Sequence, residues 1–161
     1  MKDKLIRTAQ SLPLPSREAV KEFQDNSKVL AEECTKVFEK RADIVQLIGE
    51  NNLAMARDNN QNFARFMASI FSDFEPNILV ETVLWVFEAY RSHGFKTTYW
   101  AANLNIWTDR LKTQLTPKTY NDIYPFYNWL IVNIPVFVKL TDHVKEESDV
   151  KNDIRQRHAD K

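Results

Sequence analysis

The side chains in this sequence that could do chemistry are few and far apart. Its one thiol, Cys34, excludes an internal disulfide and any Cys-rich zinc or iron–sulfur site, which need several thiolates at short spacing. Cys34 also falls on the apolar stripe of a helical segment, where a thiol acts as a small buried hydrophobe. The histidines, His93, His143 and His158, are too scattered to suggest a metal cluster, and no metal site is expected. With Gly49 and Gly94 as the only glycines, a glycine-rich phosphate loop cannot be built. No Ser/His/Asp arrangement has a supporting motif, and no pair of carboxylates is placed in a common cleft, so the expectation is a protein that is not an enzyme and has no catalytic residues. What the sequence does have is flat side chains. Every Phe, Trp and Tyr except Phe23 and Phe38 lies between Phe63 and Phe137. Phe63, Phe66, Trp85, Tyr90, Trp100 and Trp107 recur at helical spacing, which suits a core and equally the wall of a pocket for a flat ligand.

Those aromatics need helices to hold them. With 2 Gly in 161 residues the chain is poor in tight turns, and no strand pattern survives, so the fold class is all-α. Lys+Arg and Asp+Glu both number 22, and a net charge of +0 gives no field to hold nucleic acid or an anionic membrane. No apolar run approaches a membrane span and the N-terminus lacks a signal-peptide core, so a cytoplasmic location is expected. Pro13 and Pro15 set off a polar leader, residues 1–15, from a segment that Ser16 can cap and whose apolar stripe runs from Ala19 to Phe38. Asp43 and Gln46 stand in capping-box relation at the head of a short helix ending at Gly49. An Asn-rich stretch then leads into Phe63, Phe66, Met67, Ile70, Phe71 and Phe74, with the loop-to-helix join near 57–62. Pro76 opens, and Gly94 closes, a helix apolar around most of its circumference. Tyr99 to Leu115 form another, and Thr116-Pro117 starts the last, which Pro125 and Pro135 must kink or segment. One domain, residues 16–140, is expected, with 141–161 a charged tail, frayed or disordered.

Two segments narrow the class. Val37-Phe38-Glu39-Lys40-Arg41-Ala42-Asp43-Ile44 resembles the Phe-x-Lys-Arg-Pro-Asp-Val segment that precedes the chromophore region of phycobiliproteins, the globin-fold antenna subunits of phycobilisomes. Phe87-Glu88-Ala89-Tyr90-Arg91-Ser92-His93-Gly94 is similar to the family's Arg-Glu-Met-Tyr-Lys-Ser-Leu-Gly. The spacing between the segments agrees, and the resemblance covers about residues 12–140. It implies a globin-like, phycobilisome-type domain with an N-terminal helical extension, and a homodimer formed through the N-terminal helices, residues 16–38. The family attaches its bilin to the cysteine of a Cys-x-Arg-Asp segment. Here the echo is Met55-Ala56-Arg57-Asp58, while a gap-free register puts Asn60 at the cysteine position. Neither residue is a thiol, so a thioether at the family position is impossible.

The resemblance implies that Arg57 pairs with a tetrapyrrole propionate and that Asp58 accepts from the inner pyrrole N–H groups. Read alone, the two are solvated residues near a helix start, with Asp58 a good cap. The aromatic wall would line the tetrapyrrole cleft. His93 follows the 59–62 Asn/Gln cluster at a distance near that between distal and proximal globin positions. Directly before Gly94, however, it would sit at the helix end and stabilise the last carbonyls. Tyr90, one turn earlier, points more naturally into the cleft. The candidate site is therefore Arg57, Asp58, Asn60, Phe63, Phe66, Trp85, Tyr90 and His93, taking a non-covalently bound bilin or haem, or no cofactor at all. The expected function is tetrapyrrole handling in connection with bilin biosynthesis, with its enzymes or phycobiliprotein-like subunits as partners. The alternative is a chromophore-free sensor or scaffold whose cleft is filled by side chains.

Overall fold

A computed structural model describes residues 1–143 of the chain. Within them lie seven α-helices and no strand: α1 (Lys2–Gln10), α2 (Arg17–Glu39), α3 (Ile44–Ile48), α4 (Leu53–Ser72), α5 (Pro76–Ser92), α6 (Thr98–Gln114) and α7 (Pro117–Leu140). The class is all-α, as the composition requires. Ser16 caps α2 by accepting from the Ala19 N–H at 3.2 Å, and Thr116 caps α7 by accepting from the Thr119 N–H at 3.4 Å. Gly49 ends α3 at φ 78°, and Gly94 follows α5 at φ 98°, a region that favours glycine.

Several local expectations are corrected. The leader is not a free polar segment: residues 2–10 form α1, whose Leu5 and Ala9 are buried as it packs on α5 and α7. Asp43 stands at the N-cap of α3 but makes no cap bond, because its carboxylate takes a two-point contact from Arg41 (2.9 and 3.0 Å). Helix α4 begins at Leu53 after Asn52, so Arg57 and Asp58 lie inside it and Asp58 caps nothing. Pro125 and Pro135 do not segment α7, which runs unbroken through both. Its flanking Phe126, Tyr127, Trp129, Leu130 and Phe137 are all buried, and that packing outweighs the lost helical hydrogen bonds. Thr141, expected to open the tail, is buried and accepts from Arg91 Nη1 at 2.8 Å, while Asp142 pairs with Arg91 and His143 approaches Glu88. The remainder of the expected tail lies outside the described residues.

Helix α2 packs along α4, α6 and α7 through Phe23, Leu30, Ala31, Cys34 and Phe38, so these residues of the segment expected to form the dimer contact are covered by their own chain. Helix α5 sits on α1 and α7. Aromatic rings fill the middle, many edge to face, as in Phe23–Phe71 (5.0 Å between centroids) and Phe63–Trp107 (5.2 Å). Each such pair contributes roughly 0.5–1.5 kcal/mol beyond its buried area. Among the described residues α7 alone is long and apolar enough to cross a membrane by length and composition, a test that core helices also pass. Here it packs against α1, α2, α5 and α6. Helices α4 and α5, although consecutive, share little contact, and the space between them is where the candidate site lies.

Candidate functional site

Helix α4 is held down by α2, while α5 is drawn away onto α1 and α7. The divergence leaves a cleft of about 490 Å³ whose back wall is α6, with Leu130 of α7 at its base. Its surface is mostly carbon. From α4 come Phe63 and Phe66, from α5 Trp85, Val86, Phe87 and Tyr90, from α6 Trp100 and Leu104, and His93 stands at the C-terminal end of α5. Trp85 is 65% exposed, an unusual state for a tryptophan and the reason the cleft has an aromatic lip. Five of the expected site residues, Phe63, Phe66, Trp85, Tyr90 and His93, are thus brought together.

The other three are not. Arg57 and Asp58 line a second depression of about 300 Å³ between α2 and α4, together with Glu32, Thr35, Lys36, Glu39 and Gln61. Arg57 is ion-paired there with Glu39, which raises its pKa further. Asp58 still reaches the cleft through its field: the Tyr90 hydroxyl has its pKa raised first by burial and then by the Asp58 charge. Asn60 points into neither space. It is buried in a knot of hydrogen bonds beneath the cleft floor, accepting from Trp107 Nε1 (3.0 Å) and Asn103 Nδ2 (2.9 Å) and donating to Thr35 Oγ1 (3.0 Å). Trp107 is fully buried and belongs to the core, whereas Trp100 belongs to the cleft.

The orientation of this knot follows from one donor. An indole N–H can only donate, so the atom of Asn60 facing Trp107 is Oδ1 and its Nδ2 faces Thr35. Asn103 meets the same Oδ1 and must present its Nδ2. Its own Oδ1 is then turned away, buried and without a partner. One turn earlier on the same face of α6, Trp100 Nε1 is also buried and unpartnered. Each such orphan costs about 1–3 kcal/mol. Tyr127 Oη is a third, deep in the core, and burial raises its pKa well above the usual value. Asn59 donates to Tyr99 Oη at 2.8 Å and, like Asn103, lines the cleft. Asn59 entered the sequence reading only within the 59–62 Asn/Gln cluster, and Asn103 not at all. Asn103 at i+3 from Trp100 was the available signal, hidden because Asn scores as a surface residue.

His93 is the C-cap of α5, and its Nδ1 lies 2.7 Å from the Ala89 carbonyl. Since a carbonyl only accepts, Nδ1 carries a proton and donates it to Ala89. His93 bonds a late carbonyl, as its place before Gly94 led one to expect, and it lines the cleft. Cys34 is buried in the α2 packing face, which pushes its thiol pKa far up and keeps it unreactive. Among the described residues no cluster of three or more His, Cys, Asp or Glu could hold a metal ion. Comparison with protein-family models, with curated proteins and with solved structures finds no match to this chain.

Proposed function

We propose that this chain is a phycobilisome-type globin that binds a tetrapyrrole without covalent attachment in the cleft between α4, α5 and α6, and that it handles this ligand in connection with bilin biosynthesis rather than transforming it. The observation that carries the reading is the cleft itself: about 490 Å³, walled by Phe63, Phe66, Trp85, Tyr90 and Trp100. Ligand sites of roughly 300–1,000 Å³ with apolar walls and a few polar groups are the usual size for such molecules. Open space between Phe66 and Tyr90 favours binding over the chromophore-free scaffold, which needs that space filled by side chains. The lone thiol is packed away in α2, so association is non-covalent. Arg57 contacts a propionate only if it leaves Glu39 and its own depression, so the acid groups of the ligand are better served by water at the open mouth. Self-association belongs to the same proposal, now through the exposed Val29 and Val37 of α2 rather than its stripe.

Titration of the purified protein with biliverdin and with haem tests the reading. A shifted absorption band and quenching of tryptophan emission at micromolar ligand are expected, because Trp85 and Trp100 line the cleft. No shift with either ligand, and no quenching, would sink it. A monomer by sedimentation at micromolar concentration removes the self-association.

A further inference from the structure

We infer that the Tyr90 hydroxyl is the group that reads the ligand inside the cleft, donating its proton to an uncharged oxygen, a carbonyl on the edge of a flat conjugated ring, while the acid groups of the ligand stay in water. The inference rests on the cleft being the binding site and goes further by naming the contact and the chemistry it selects. None of the residues lining the cleft is Asp, Glu, Lys or Arg. Its mostly apolar wall holds any flat molecule by area, and a carboxylate carried into it would lose its hydration with no cation to replace it. The edge that enters is therefore uncharged, and one such edge is told from another by the polar atoms that the wall leaves open.

Tyr90 Oη is such an atom. The residue is 7% exposed, and its ring is held edge to face by Phe95 (4.8 Å between centroids, 89° between planes) and by Trp100 (5.6 Å, 74°), so the place of the oxygen is fixed. Among the described residues the hydroxyl makes no hydrogen bond; what acts on it is burial and the charge of Asp58. The polar side-chain atoms sealed inside the fold without a partner are Trp100 Nε1, Asn103 Oδ1 and Tyr127 Oη. Tyr90 Oη is not one of them: it too is unbonded, but it keeps open surface, and that surface belongs to the cleft its residue lines. Burial and Asp58 both hold the phenol protonated, so it offers a donor. The same negative charge turns a carboxylate away and leaves a neutral carbonyl as the fitting acceptor. A hydroxyl open to solvent bonds water. A ligand that displaces that water without supplying an acceptor loses the bond, whereas a ring carbonyl replaces it.

Biliverdin, its dimethyl ester and protoporphyrin IX separate the possibilities: the first two carry ring carbonyls, the third carries none, and the ester lacks free acids. Affinities are read from the ligand's absorption for the wild type and for Tyr90→Phe, which keeps the ring and removes only the hydroxyl; circular dichroism confirms that the variant is folded. The wild type is expected to bind biliverdin and the ester within about threefold of each other. Tyr90→Phe should weaken both by about fivefold or more and change protoporphyrin IX affinity by less than about twofold. The infrared carbonyl band of bound biliverdin should lie lower in the wild type than in Tyr90→Phe, a shift that a merely structural role of the ring would not produce. A loss of about tenfold or more on esterification, a parallel loss of biliverdin and protoporphyrin IX in the variant, or a carbonyl band that the variant leaves in place overturns the inference and leaves the cleft reading standing. Should Tyr90→Phe fail to fold, the ester comparison and the wild-type band decide, a loss on esterification or a band at the position of a free carbonyl being the contrary result. If the wild type binds none of the three, the cleft reading falls and this inference with it.

Discussion

Trp107 Nε1 donates to Asn60 Oδ1 at 3.0 Å, and this one bond orients every amide in the buried knot under the cleft. Asn60 had entered as the residue standing at the family's cysteine position, yet its work is internal. Replacing it with Ala strands Trp107 Nε1, Asn103 Nδ2 and the Thr35 hydroxyl together. Asn60→Ala is therefore expected to cost about 2–4 kcal/mol in urea unfolding. A double-mutant cycle with Trp107→Phe should show coupling above about 0.5 kcal/mol, and additivity would mean that the bond contributes nothing.

How much of this was legible beforehand can be judged from particular residues. Ser16, Gly49, Pro76 and Thr116-Pro117 declare their helix ends because capping and backbone preference act within four residues. The start of α4 was misplaced by several residues because Asn52 to Asn62 have weak helix propensity, and packing on α2 holds them helical all the same. Phe63, Phe66 and Tyr90 were recognisable as one surface by their type. Arg57 and Asp58 were assigned to that surface by resemblance, whereas α4 turns them toward α2. Asn103 was missed because a buried amide looks like an exposed one until its partners are known.

The two glycines are not equivalent, and their replacement by alanine should say so. Gly49 holds φ 78° with ψ 176°, a combination essentially reserved for glycine. A Cβ there would meet the Asn52 amide and the Gly94 carbonyl oxygen at 3.5 Å, ordinary contact distances, so the cost lies in the backbone conformation. Gly94 at φ 98° has open space around an added Cβ, with only the Asn52 amide at 4.0 Å. Gly49→Ala should destabilise by about 1–3 kcal/mol and by more than Gly94→Ala. Thermal unfolding of the two variants side by side decides it, the reverse order being the contrary result.

Stability should hold through neutral pH and fall in alkali. Burial raises the Cys34 thiol from an ordinary 9.0, and raises Tyr99 and Tyr127 from an ordinary 10.0, so the unfolded chain releases these protons before the folded one does. Above about pH 9 the folded state binds more protons, and stability declines with each further step in pH. Urea midpoints measured from pH 7 to 11 should be level to about 9 and then drop. Cys34→Ala should delay the onset toward 10, and an unchanged onset would show that the thiol is not the first group to act.

Arg57 and Trp85 offer a direct contrast between the two depressions. Arg57→Ala removes a solvent-screened ion pair with Glu39, which adds little to stability, and lies away from the cleft. Bilin affinity should stay within about twofold, and a tenfold loss would restore Arg57 as the propionate partner.

Trp85 is the sharper case because the fold gives it so little to do. At 65% exposed it contributes little to the core, and truncation of such a side chain normally changes stability by no more than about 0.5 kcal/mol. Yet it stands on the lip of the cleft beside Val86 and Ala89, where a flat ligand would cover it. Trp107, fully buried against Phe63 and Tyr127, is its opposite. Trp107→Ala should lose about 3–5 kcal/mol of stability. Trp85→Ala should unfold like the wild type and still weaken biliverdin binding by about tenfold, since one stacked aromatic surface is lost from the bound state alone. Chemical denaturation and ligand titration of the same two preparations make the comparison. A Trp85→Ala protein that loses stability but keeps its ligand would mean that the exposed indole supports the fold, and that the lip of the cleft has no part in binding.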